Sequence, residues 1–351
     1  MSNSIHDNIN VSVIIPVYNT SEYIARCAQS LFNQTIKEGI EFIFIDDAST
    51  DNSIAILEST LHSYPQRSHQ VRIIRNAHNQ GIAEVRNIGV ENARGEYIIH
   101  CDSDDWVHRE MYQQLLHQAL ANNADMVFCD YYEVYGNRLN YISQIANTTK
   151  ELYLRETVTL KNFRAALWTR LIRRSLYNSL DFLWQKGVNV GEDISIIPRL
   201  VYYANTVSHI PKALYYYNSS NPDSYTHSNS PQTLRYIHLS TEIVARFLNE
   251  KEPDCFNDEI NRMRNNTLYL IISKSTPDTY ATWVEKYKTE YAIVYNGNDL
   301  GRLESRIYAA AFNGDTAAAE RLKKLLPAMR KLRRIRNSLK KNTSAKVKTE
   351  N

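Results

Sequence analysis

Between residues 11 and 135, short apolar runs rich in β-branched residues alternate with helical patterns. Val11–Val17 is one such run, and Asn19, Thr20, Ser21 and Glu22 then open a helical periodicity that lasts to Leu31. The unit repeats with Glu41–Ile45 and a helix to about Leu61, with Val71–Ile74 and a helix over 82–93, and with Tyr97–His100 and a helix over 109–121. It closes on the strand Met126–Tyr131. A strand that lacks alternating polar positions is buried on both faces. The spacing therefore predicts an α/β fold, a mainly parallel, doubly wound sheet covered by helices on both sides. In such sheets ligands bind beyond the carboxyl ends of the strands, so the residues just after each run matter most.

The pattern changes near Tyr135. Residues 140–162 read as a polar loop, Phe163–Tyr177 and Ile194–Tyr203 as helices, and Thr206–Ile210 and Ala213–Tyr217 as short strands. From Pro231 to Leu326 the pattern is helical throughout. The expected organisation is a tail over 1–10, a sheet domain over 11–220 in two halves (about 11–135 and 136–220), a C-terminal helical extension over 221–326, and a basic tail over 327–351.

The 351 residues include 41 Lys and Arg against 38 Asp and Glu. From Arg321 onward 12 basic residues face one acid, so the first 320 residues stand at −8 and the remainder at +11. An acidic body argues against nucleic acid as a partner, while the tail invites an anionic surface. Cys27, Cys101, Cys129 and Cys255 form neither a Cys-x-x-Cys pair nor a zinc spacing, which points away from a disulfide scaffold and toward a reducing compartment. No basic segment followed by an apolar one opens the sequence, and about 18 apolar residues never run together, so a cytoplasmic location is expected.

Two sets of carboxylates fall on the same rim of the predicted sheet: Asp46–Asp47 after the second run, and Asp102-Ser103-Asp104-Asp105 after the fourth. Carboxylates crowded together raise one another's pKa unless a cation or donor groups neutralise them. A hard divalent cation shared with phosphate oxygens is the usual solution. Helix capping is the bland alternative and suits Asp51 and Asp105, but it needs one acid per helix. A third acidic element, Gly191-Glu192-Asp193, precedes an apolar helix. It reads either as an N-cap or as a general base held on a segment apart from the metal cluster. The first turn, Pro16-Val17-Tyr18-Asn19, has no glycine, which disfavours a phosphate-binding P-loop and a dinucleotide-binding turn; Asp46 as a ribose-binding acid keeps a dehydrogenase as a poor alternative.

With these residues in view, the sequence resembles family 2 glycosyltransferases of the GT-A fold, the nucleotide-diphospho-sugar transferase type. The resemblance rests on five ordered stretches: Val11-Ser12-Val13-Ile14-Ile15-Pro16-Val17-Tyr18-Asn19; Ile45-Asp46-Asp47-Ala48-Ser49-Thr50-Asp51; Asn79-Gln80-Gly81 through Arg86-Asn87-Ile88-Gly89; Ala93-Arg94-Gly95-Glu96-Tyr97-Ile98; and Asp102-Ser103-Asp104-Asp105, the D-x-D motif. Trp168–Arg174 and Gly191–Asp193 extend it to about residue 220 and resemble the capsule and cell-wall polysaccharide branch. It implies an inverting, metal-dependent transfer of a sugar from a nucleotide sugar, UDP-linked by preference, to a hydroxyl of a glycan or lipid-linked glycan.

In that resemblance Pro16, Tyr18 and Asp47 line the base pocket, with Asp47 accepting from uracil. Asp102 and Ser103 meet the nucleotide sugar, Asp102 at the ribose or the metal, and Asp104 ligates Mn2+ or Mg2+; His227 is a further group near the metal or diphosphate, or else a surface histidine. Arg86 holds the diphosphate or orients an aspartate, unless it is a surface helix arginine. Asp193 is the base, and Glu192 orients it or the acceptor. The chemistry is coherent on first principles: a cation stabilises the departing diphosphate, and a base on the opposite face takes the acceptor proton and gives inversion.

Weaker signals remain open. His100 reads as a core histidine beside the acidic cluster, Trp168 as an acceptor-site aromatic or a core tryptophan on a helix, and Tyr215–Tyr217 as sugar-stacking surfaces or buried strand residues. From Pro327 a basic amphipathic helix carries Met329, Leu332, Ile335 and Leu339 on one side, which suits peripheral binding to the inner face of the cell membrane, or docking on its own domain. Two other readings stand beside the main one: a nucleotidyltransferase of related topology, and a degenerate glycosyltransferase-like scaffold.

Overall fold

The computed structural model describes residues 9–144, 149–159, 165–222, 229–295 and 300–329. They fall into two compact units divided between Phe256 and Asn257. The first begins with β1 (Val11–Val17), α1 (Ile24–Phe32), β2 (Ile40–Asp46), α2 (Ser53–His62), β3 (Val71–Arg75), α3 (Ile82–Asn92) and β4 (Tyr97–His100). It continues through β5 (Trp106–Val107), α4 (Met111–Ala121), β6 (Met126–Tyr135), β7 (Arg138–Ile142), α5 (Lys150–Thr159), β8 (Arg170–Arg173), α6 (Arg174–Tyr177), α7 (Glu192–Tyr203), β9 (Val207–Asn218) and α8 (Pro231–Lys251).

The sheet runs β3-β2-β1-β4-β8-β6-β9-β5, with β7 added to β6. Strands β3, β2, β1 and β4 are parallel, and β1 lies in register with both neighbours, Val17 opposite Asp46 and Ile14 opposite His100. That register brings the ends of β1, β2 and β4 to one edge. Every residue of β1 and β2 is buried, as continuous apolar runs require. One face packs Val11, Val13, Ile15 and Tyr97 against Cys27 and Leu31 of α1 and Leu115 of α4. On the other, α3 comes so close that a Cβ on Gly89 would stand 2.4 Å from Ile14 Cγ2. Glycine there sets the depth at which Arg86, one turn earlier, meets the sheet.

The α/β sheet and the helical C-terminal region agree with the sequence, while several local expectations do not. Phe163–Tyr177 is not a helix: from Leu167 it is a 3-10 turn, then β8, then the four-residue α6. β8 inserts antiparallel between β4 and β6, and four residues are too few for periodicity to reveal a strand. The supposed loop over 140–162 contains the end of β7 and all of α5. The two strands after residue 205 are one, β9, broken in register opposite Cys129–Tyr131 by a bulge. The first unit also runs past residue 220, because α8 packs on α7: Phe247 meets Tyr202 edge-on, and Ser240 Oγ donates to Val190 O at 3.1 Å.

The second unit contains α9 (Asn257–Lys274), α10 (Pro277–Tyr291), α11 (Arg302–Phe312) and α12 (Thr316–Lys323). Leu268, Ile272, Tyr280, Tyr287, Ile307 and Tyr308 form its core. Buried Tyr308 donates its hydroxyl to Asn265 at 2.6 Å. No described helix is long and apolar enough to cross a membrane.

Candidate active site

The loops after β1 and β2 are stitched together at the sheet edge. Asn19 accepts from the Thr50 amide at 2.8 Å, and Asp51 accepts from the amides of Ser21 and Ser53, both at 2.9 Å. These hydrogen bonds hold Asp51 below its usual pKa against the opposing effect of burial, and they match its reading as a helix-start acid. Pro16 is buried in β1 opposite Ile45, and Tyr18 just beyond it is exposed. Asp47 is buried and already well supplied with donors: Asn76 Nδ2 and the Gln80 amide reach Oδ1 at 2.8 and 2.9 Å, and the Gly81 amide reaches Oδ2 at 2.8 Å. Asp47 therefore ties the β3–α3 loop to β2.

The second acidic run divides by depth. Asp105 is fully buried and receives the Tyr215 hydroxyl at 2.7 Å and the Asn218 amide at 2.6 Å. It does not cap α4, which starts six residues later; it anchors β9, and burial beside Asp104 and Asp102 pushes its carboxyl well up. Ser103 is buried. Asp104 accepts from Asn221 Nδ2 at 2.7 Å, and burial together with the charge of Asp102 lifts it to about 6. Asn221 carries no motif and is invisible to sequence reasoning.

Arg86 joins the elements. Arg86 is 2% exposed, and its Nη2 lies 3.2 Å from Asp102 Oδ1, 3.5 Å from Glu192 Oε1 and 3.8 Å from Asp193 Oδ1. The surface-arginine alternative is thereby overturned. Burial opposes its charge, but the three carboxylates outweigh that and raise its pKa. Gly191, in the left-handed region at φ 78°, turns the chain into α7 and presents Glu192 and Asp193 on its first turn. Asp193 also accepts from the Leu167 amide at 3.1 Å. Burial raises the pKa of both acids, Glu192 to about 8 with the help of Asp193. Three segments distant in sequence thus converge on one buried cation.

The aromatic expectations resolve toward the core. Trp168 is buried in a stack with Tyr215 and Tyr217, centroids 4.3 and 5.5 Å away, and Tyr216 stacks on Trp106 instead. Tyr215 is fully buried, so it offers no face to a sugar. His100 is buried too, and desolvation with the Arg86 charge depresses its pKa well below the usual value, as a core histidine requires. His227 and Leu332, Ile335 and Leu339 of the tail lie outside the described residues.

Among the described residues no group of three or more His, Cys, Asp or Glu is placed to hold a metal. Asp102 and Asp104 remain as two hard oxygen donors, and a divalent cation would offset the burial and, second to it, the Asp102 charge that raise Asp104. This donor set fits Mn2+ or Mg2+ completed by phosphate oxygens.

The family model for glycosyl transferase family 2 matches residues 12–183, from β1 through α6 to the loop before Trp184. Residues 12–183 belong to that family. EpsJ of Bacillus subtilis, described as an uncharacterized glycosyltransferase, is 34% identical over 189 residues, 52% of this chain and 53% of that one. The chain spans only between half and three-fifths of the length of EpsJ and of two further curated relatives, EpsH of Bacillus subtilis and GlyG of Streptococcus pneumoniae. Among solved structures, S. aureus TarS 1–349 in complex with UDP-GlcNAc superposes with a TM-score of 0.57 at 19% identity, covering 91% of this chain and 92% of that one. The mannosyltransferase PcManGT of Pyrobaculum calidifontis, in complex with GDP-Man and Mn2+, gives 0.54 at 14% identity, covering 89% and 84%. These likenesses show that the family 2 domain has the GT-A glycosyltransferase fold.

Proposed function

We propose that the chain is an inverting glycosyltransferase that moves a sugar from a nucleotide diphosphate donor, UDP-linked by preference, to a hydroxyl of a glycan or lipid-linked glycan in surface polysaccharide synthesis. The observation that carries this reading is the meeting of Asp102, Glu192 and Asp193 on Arg86, because it sets a base candidate beside the D-x-D acids while keeping it off them.

Pro16, Tyr18 and Asp47 face the nucleotide base in this reading. The exposed Tyr18 suits stacking; Asp47, with its oxygens already engaged, contributes mainly by shaping the loop. Asp102 and Asp104 would hold Mn2+ or Mg2+, which when bound stabilises charge on the departing diphosphate. Arg86 orients Asp102, and Ser103 belongs with the nucleotide-sugar contacts. Asp193, lifted by burial, takes the acceptor proton, a contribution of about 10²–10⁴ in rate. Glu192 and Arg86 fix its place. The TarS structure in complex with UDP-GlcNAc and the PcManGT structure in complex with GDP-Man and Mn2+ support a nucleotide-sugar donor and a divalent cation. A peripheral position on the inner face of the membrane, through the tail beyond Pro327, completes the proposal.

A panel of UDP-, GDP- and CDP-sugars with Mn2+, scored by nucleotide release and thermal shift, tests it. Stabilisation of ~2.7 kcal/mol is expected at a hundredfold excess over Kd. Preference for GDP or CDP would overturn the base assignment, and release from none of them would overturn the activity.

A further inference from the structure

On the side of the sheet covered by α3, a cavity of about 490 Å³ is lined by Asn87, Arg174, Tyr177, Asp181, Phe182 and Trp184. Its rim is exposed at Asp181 and Phe182, and its wall is made by Tyr177 and Trp184, which are 1% and 3% exposed. The wall is held from both flanks. Asn87 of α3 clasps the Trp184 backbone through two 3.1 Å hydrogen bonds, and Arg199 of α7 donates to Phe182 O at 2.8 Å and to Leu183 O. Behind Trp184 the His100 ring meets it edge-on at 5.7 Å, and the charge of Arg86 is felt by His100 and Tyr177 alike.

Along this line lies a concentration of buried polar atoms that no hydrogen bond satisfies among the described residues: Trp184 Nε1, Tyr177 Oη, both ring nitrogens of His100, Nε and Nη1 of Arg86, and Asp193 Oδ1. Buried polar groups in folded proteins are paired with protein or with ordered water. Tyr177 and Trp184 line the cavity, the His100 ring meets Trp184, and Arg86 reaches Asp193; waters satisfying these seven atoms, each typically making about three hydrogen bonds, would run from the cavity to the acid pair of α7.

We propose that a chain of buried waters links Asp193 to the cavity at Tyr177 and Trp184, and that it is the exit for the proton removed from the acceptor. The inference rests on the reading of Asp193 as the base. In the transfer, the acceptor O–H bond breaks as its oxygen bonds to the sugar carbon, and the carbon–phosphate oxygen bond breaks with its electron pair leaving on the nucleotide. The proton taken by Asp193 passes to the first water, and the last water releases one to solvent in the cavity, which restores the carboxylate. Arg86 keeps its proton throughout. Tyr177, Trp184 and His100 are positioning residues that hold the waters without touching the reacting atoms.

The test uses the full chain and Tyr177→Phe, which keeps the ring and removes one water partner. A crystal structure at high resolution is expected to place ordered waters on Tyr177 Oη, Trp184 Nε1 and the His100 ring. Single-turnover transfer in mixtures of H2O and D2O should show a curved dependence on deuterium fraction, as when several protons move together. Tyr177→Phe should lose a water, slow single-turnover transfer several-fold and straighten that curve, while UDP affinity stays unchanged. A dry interior at these atoms, or wild-type rates and isotope dependence in Tyr177→Phe, overturns the exit. No transfer by the wild-type chain instead overturns the reading of the site, and the exit role with it, whatever waters are found.

Discussion

Replacing Arg86 by methionine keeps an unbranched stem about as long as the arginine chain to Nε and removes the cation that faces three carboxylates. At an effective dielectric constant of about 20, unit charges 3.5 Å apart attract by about 5 kcal/mol. Three such contacts at 3.2, 3.5 and 3.8 Å amount to about 14 kcal/mol in gross terms when all three carboxylates are ionised, and to about 10 kcal/mol when Glu192 holds its proton. Most of this offsets the desolvation of a buried arginine. In the variant the acids relieve part of the strain by taking up protons, so the net loss is set at about 3–5 kcal/mol near pH 7.5. For a unit of this size that lowers Tm by roughly 6–20 °C.

The pH dependence supplies a sharper check. Burial raises Glu192 to about 8, and Asp193 also lies above its usual value, so the folded state binds more protons than the unfolded one between about pH 4.5 and 8. Stability from these groups therefore falls as pH rises through that window. Arg86 counteracts the rise and stays charged throughout, so its removal steepens the fall. Thermal melts of both proteins with EDTA should show a gap that widens from pH 5.5 to pH 8. A gap below about 1 kcal/mol, or one of equal size at both pH values, would refute the view of Arg86 as the neutralising centre.

Asp104→Asn should weaken metal-dependent UDP binding by calorimetry, whereas Asp193→Asn should leave that binding nearly intact and cut turnover by about 10²–10⁴; near-normal turnover in Asp193→Asn would reduce Asp193 to a local anchor for Leu167. Asp130 is held below its usual pKa, despite burial, by hydrogen bonds from His209, Tyr141 and the Gln144 amide. Asp130→Asn should therefore cost about 1–3 kcal/mol at neutral pH, with the gap closing as pH falls below about 4 and the wild-type carboxyl protonates; a gap that persists in acid would contradict this. The tail from Arg330 to Lys348 has nine basic residues and no acid, and at ~1 kcal/mol for each one near an anionic surface the full chain should sediment with anionic liposomes at low salt. A chain ending at Leu326 should not, and equal sedimentation of the two would remove the tail from the argument.

The α/β class and the edge on which the acids gather were legible in the sequence, because continuous apolar strands and the helices between them are local patterns that the parallel sheet merely aligns. The ordered stretches from Val11 to Asp105 also identified the family, since each lies within one strand, one turn or one helix. What local pattern does not carry is which distant segments meet. Arg86 on α3 kept a surface residue as its alternative until α7 brought Glu192 and Asp193 against it, and Asp105 kept a helix cap as its alternative until β9 laid Tyr215 and Asn218 on it. The strand β8 escaped for the same reason: Arg170–Arg173 has no periodicity of its own, and only pairing with β4 and β6 makes it a strand. Side-chain charge and burial are properties of the packed neighbourhood, so the sequence by itself determined where the acids lie along the chain, and the tertiary structure alone decided which of them are neutralised, by what, and at what depth.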